Sequence, residues 1–120
     1  MGKNGIIMEI FKLKNMKQGW FAGDFSPTAF KTSIFEACYR THPKGEKWDT
    51  HYHEYITEIN LLVKGEMTLQ NTLLTSGDIF VIKPFEIADP IFLEDCTIMC
   101  IKTPCKVGDK IIMESKLSII

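Results

Sequence analysis

Between Gly45 and Gly65 the chain reads GEKWDTHYHEYITEINLLVKG, and the placing of two histidines and a glutamate in that stretch restricts both fold and chemistry. His51 and His53 stand two apart. On a β-strand such residues point to the same face, so both imidazoles reach one point while Tyr52 faces away. A short turn over Glu54 to Ile56 reverses the chain and sets Glu58 across from the histidines on a neighbouring strand. Two nitrogens and one carboxylate form a ligand set for a divalent transition metal with coordination positions left open.

The full spacing, G-x5-H-x-H-x4-E-x6-G, resembles the first sequence motif of the cupin superfamily and is met at Gly45, His51, His53, Glu58 and Gly65. The resemblance implies an all-β fold, a single-domain jelly-roll β-barrel over residues 1–120 with its core at about 33–103. It also implies a divalent transition metal, with iron, manganese, zinc and nickel all suited to the ligands. The function it implies is a metal-dependent enzyme acting on a small polar metabolite such as a sugar or sugar derivative, of isomerase, epimerase or lyase type. A non-haem iron dioxygenase and a non-catalytic ligand-binding or regulatory domain are the alternatives.

The family's second motif, G-x5-P-x-G-x2-H-x3-N, is only partly present. Gly77-Asp78 begins it, but counting from Gly77 puts the histidine position on Ala88, and anchoring on Pro84 puts it on Asp89 with Glu86 at the glycine. The chain has no histidine after His53. Any fourth protein ligand is then Asp89, Glu86 or an oxygen or sulfur donor from elsewhere in the chain, with Asp89 favoured by register.

The rest of the chain reads as short strands punctuated by Gly, Pro and Asp, which argues a barrel or sandwich. Strands are expected over 8–13, 33–41, 47–53, 56–64, 67–73, 79–82, 87–93 and 96–103. Gly23 to Thr28, His42 to Gly45 and Thr75 to Asp78 are expected as loops or turns, and residues from Pro104 on as a tail turning at Gly108-Asp109. On the strand that carries Glu58, Asn60 and Leu62 share the metal-facing side while Ile59, Leu61 and Val63 share the other. A buried Asn needs a hydrogen-bond partner, so Asn60 is a candidate to hold a ligand or Glu58 itself. Arg40 is a candidate clamp for a ligand's negative charge.

A net charge of -1 with no long single-sign run makes nucleic acid and anionic membrane unexpected partners. No apolar run reaches the ~18 residues that span a bilayer, and the chain is expected to be cytoplasmic. Cys38, Cys96, Cys100 and Cys105 form no C-x-x-C pair and read as buried free thiols. The apolar stretches Ile6 to Leu13 and Ile111 to Ile120, together with the edge strands of a single jelly roll, lead to the expectation of a homodimer.

Overall fold

The structure is a computed structural model that describes residues 7–113. Its strands are β1 (Trp20–Ala22), β2 (Glu36–His42), β3 (His51–His53), β4 (Thr57–Lys64), β5 (Met67–Leu69), β6 (Thr72–Leu74), β7 (Ile79–Ile82), β8 (Ile91–Phe92), β9 (Cys96–Thr103) and β10 (Lys110–Ile112). A five-stranded antiparallel sheet in the order β1-β2-β9-β4-β7 forms one layer. The opposing layer combines β6-β5-β8 with the pair β10-β3, and an isolated bridge between His51 and Ala88 joins the two. The two layers make a jelly roll.

Period-2 patterning decides which side of each strand enters the interior. On β4, Asn60 and Leu62 are buried while Ile59, Leu61 and Val63 are each about 40% exposed. On β9, Cys96, Ile98 and Cys100 point inward. They pack with Cys38, Leu62, Met67 and Phe92, and a smaller cluster of Leu69, Ile82 and Ala88 lies beside them. Gly65, at φ +105, sits where a Cβ would run into the Asp95 carbonyl, so the motif's second glycine is a requirement of close approach.

Several expectations need correction. Residues 8–12 form no strand, and Leu13–Asn15 is a 3-10 turn, because this alternating apolar segment finds no sheet edge to pair with. The expected strand over 67–73 is the hairpin β5-β6, with Gln70 and Asn71 both at positive φ in a tight turn. The expected strand at 87–93 is broken at Asp89-Pro90, leaving the Ala88 bridge on one side and β8 on the other, since proline has no N–H to give a ladder. The strand expected from Lys47 is ordered as strand only at His51–His53. His42, expected in a turn, ends β2. The tail contributes β10, which pairs Lys110 with His53, Ile111 with Tyr52 and Ile112 with His51. Met1 to Ile6 and residues 114–120, which carry part of both apolar terminal stretches, lie outside the described residues.

Candidate metal centre

Strand β3 presents His51 and His53 to the interior, buried at 5% and 4% exposure, and β4 brings Glu58 opposite. One ligand atom from each of the three lies within 4.8 Å of the others. One nitrogen of each ring already has a partner. His51 Nδ1 bonds the Asp49 carbonyl at 2.8 Å, which fixes the tautomer that leaves Nε2 with a free lone pair. His53 Nε2 faces Glu58 Oε2 at 3.1 Å.

His53 Nδ1 is buried without a hydrogen-bond partner, and the nearest carboxylate is Asp109 at 3.9 Å. Asp109, just before β10, is 3% exposed and accepts the backbone N–H groups of Glu54, Tyr55 and Ile56. It therefore holds the turn between the two ligand-bearing strands and stands behind one ligand. Such outer partners commonly orient a metal-bound imidazole.

Electrostatics keep the ligand set ready. Burial pushes the Glu58 carboxyl up, but the His53 hydrogen bond, the Lys102 charge and the Asn60 amide together bring it below its ordinary 4.5. Burial lowers the His51 imidazole below 6.5, favouring the neutral form that coordinates. Asp109 is pushed up by its desolvation and brought lower overall by its three backbone donors. The donor set, the fixed tautomer and the ionised carboxylate fit a divalent ion.

The site opens into a cavity of about 100 Å³ lined by Trp20, Cys38, Cys100, Phe80, Phe92 and other apolar groups. Its polar members include Asn60, Arg40, His42 and Lys102. Asn60 donates to Glu58 Oε1 at 3.3 Å. Arg40 lies at the far end, where Nη2 reaches Glu46 at 3.4 Å and the guanidinium sits over Trp48. Glu46 also bonds His42 and the Trp48 indole, and His42 stacks on Phe92 at 4.7 Å.

Asp89 does not join the cluster. Its Oδ1 accepts the Gln70 N–H at 2.7 Å and so closes the β5-β6 turn. Glu86 likewise accepts the Lys83 N–H at 2.8 Å, and Ala88 occupies the position beside His51. Lys102, which sequence reasoning did not single out, places Nζ 3.8 Å from Glu58 Oε2 and 5.1 Å from the Trp20 ring. Its signal was available: it shares the inward face of β9 with Cys96, Ile98 and Cys100. Asp109 had no comparable signal.

No family model matches the chain, and no curated protein sequence matches it. Solved structures are similar in fold. One is an uncharacterised conserved protein with a double-stranded β-helix domain from Klebsiella pneumoniae, at 19% identity and TM-score 0.60 over 72% of this chain and 81% of that one. KdgF from Halomonas sp. is similar at 23% identity and TM-score 0.56 over 63% and 74% of the two chains. An RmlC-like cupin from Shewanella frigidimarina is similar at 17% identity and TM-score 0.53 over 63% and 71%. With the first-motif residues His51, His53 and Glu58 gathered inside it, the chain has the double-stranded β-helix, jelly-roll fold that these structures share.

Proposed function

We propose that the protein is a metal-dependent enzyme acting on a small polar metabolite, such as a sugar or sugar derivative, by isomerase, epimerase or lyase chemistry. The observation that carries this reading is the buried His51, His53 and Glu58 set opening into a cavity that also holds Asn60 and Lys102. A divalent ion bound there supplies Lewis acidity, polarising a carbonyl or lowering the pKa of bound water. The chain's own residues do the rest. Lys102 and Asn60 hold the metabolite's oxygens, Arg40 engages a group at the far end, and the apolar wall excludes water. The cavity's small volume limits the occupant to a small molecule.

A second reading, a dioxygenase-type cupin, is favoured by the ligand set itself, since two histidines and one carboxylate are the triad of non-haem iron oxygenases. The test is to measure metal content of the purified protein, then oxygen uptake and turnover across a panel of sugars and sugar acids. Redox-neutral turnover that disappears in the Lys102→Met protein, with metal retained, supports the first reading. Metal-free protein from metal-replete medium overturns both, and substrate-dependent oxygen consumption selects the second.

A further inference from the structure

The four cysteines divide into two pairs by what their sulfurs do. Cys96 Sγ lies 3.2 Å from the Glu66 carbonyl and 3.3 Å from that of Glu94, and Cys105 Sγ lies 2.9 Å from Glu36 Oε2, so each of these thiols donates to an oxygen. Cys38 has only a long contact, 3.6 Å to the Gln18 carbonyl, and Cys100 makes no hydrogen bond among the described residues. These two are directed at one another instead. Register sets Cys38 on β2 directly opposite Cys100 on β9, both are buried, and both line the cavity that serves the metal centre. Asn60 follows them in the same row, and the neighbouring row runs Glu36, Lys102, Glu58. The sulfurs thus stand on the cavity wall one inward-facing step from Glu58, outside the group that Glu58 forms with His51 and His53.

Spacing and surroundings select what such a pair holds. Residues directly opposite on antiparallel strands have Cβ atoms ~4.5–5.5 Å apart, whereas a disulfide draws them to ~3.5–4.5 Å. An ion seated between two sulfurs, about 2.3 Å from each as in zinc–thiolate bonds, fills the wider span. The thiols also resist direct oxidation. Burial pushes Cys38 up to about 11, and burial with the Glu58 charge pushes Cys100 up as well, so neither supplies the thiolate that attacks a peroxide or a disulfide. Zinc wants four donors, but the side chains packed around the pair are Leu62, Phe92, Ile98 and Met67, whose thioether is the one donor among them and is soft. Asn60 has its amide N–H on Glu58.

We propose that Cys38 and Cys100 form a second metal site, a two-sulfur clamp for a soft monovalent ion of the Cu(I) class, separate from the His51, His53 and Glu58 centre. Thiolate and thioether donors select such an ion over harder divalent metals. It enters as both thiol protons leave, with no change of oxidation state. Two thiolates and one monovalent cation leave a single negative charge, and Arg40 and Lys102, whose charges both favour the Cys38 thiolate, offset it. The site does not depend on the chain's being an enzyme.

The test is an anaerobic titration of the reduced full chain with Cu(I) against a competing chelator, with zinc present for the histidine centre. One Cu(I) per chain is expected, with X-ray absorption at the copper edge showing sulfur neighbours only. Cys38→Ser and Cys100→Ser should each weaken Cu(I) binding at least ~100-fold, because each removes one of two charged donors, while Cys105→Ser leaves it unchanged. Cys38→Ala and Cys100→Ala suit an apolar wall and take the place of the serine proteins if those fail to fold. A wild-type chain that takes no Cu(I) from the chelator, uptake that survives the combined Cys38→Ala and Cys100→Ala substitutions, or nitrogen neighbours at the copper edge overturns the proposal. Zinc content of the same samples tests the histidine centre separately.

Discussion

Asp109 Oδ2 lies 3.9 Å from His53 Nδ1, and the same carboxylate accepts the backbone N–H groups of Tyr55 and Ile56. One side chain thus joins the turn after β3, the imidazole of a candidate metal ligand and the start of β10. Removing it is expected to act on metal binding from a distance. Asp109→Ala should lower divalent-metal affinity about 10- to 100-fold, and Asp109→Asn, which keeps one acceptor oxygen, should fall between it and wild type. Isothermal titration with zinc checks both. Wild-type affinity in Asp109→Ala would show that His53 needs no such support.

The ligands themselves should be far less tolerant. His51→Ala, His53→Ala and Glu58→Ala are each expected to lose most bound metal, because each removes one of three donors. Asp89→Ala should keep its metal and lose only about 1 kcal/mol of stability with the Gln70 hydrogen bond. Elemental analysis and urea denaturation of the four proteins separate the outcomes, and normal metal in His53→Ala would remove the site.

Acid should destabilise the metal-free protein in a defined window. Burial lowers the His51 and His42 imidazoles below 6.5 in the folded chain. The unfolded chain, with ordinary imidazoles, binds more protons just below that value, so stability falls as pH drops below about 6.5 and continues falling to the folded-state values. Metal, which needs neutral imidazoles, should be retained at pH 6.5 and shed below it. Urea titrations at pH 7.5, 6.5 and 5.5 measure the first effect; a metal-release midpoint above 6.5 would contradict the second.

The two motif glycines should respond differently to one methyl group. Gly45→Ala meets open space at φ +77 and should cost about 1 kcal/mol, the penalty of a left-handed backbone. Gly65→Ala drives a Cβ against the Asp95 carbonyl and the Cys96 side chain at φ +105, and should cost about 2 kcal/mol or more. Thermal unfolding of both proteins checks the order.

The clustering of His51, His53 and Glu58 was legible because its parts are local. A two-residue period puts His51 and His53 on one face, and a short turn returns Glu58 to them, so no long-range knowledge was required. The inward placement of Asn60 and Leu62 followed from the same period. Asp89 misled because it fills a motif position, while its carboxylate is taken by the backbone of a turn at Gln70 that the sequence had read as continuous strand. Met8 to Leu13 misled in the opposite way: alternation proposes a strand, but only a neighbouring edge makes one. Asp109 was hidden because its partners at Glu54 to Ile56 lie more than fifty positions earlier, and nothing local announces the pairing of β10 with β3.

That pairing has a temporal side. The strand that steadies His53 is made after everything it steadies: Asp109 leaves the ribosome 53 residues behind Ile56. At ~5–20 residues per second the delay is roughly 3–11 s. During it a nascent chain carries both histidines and Glu58 without the carboxylate that fixes their turn. A chain stalled before Lys110 carries both histidines and Glu58 without the pairing of β10 with β3 that stands behind them.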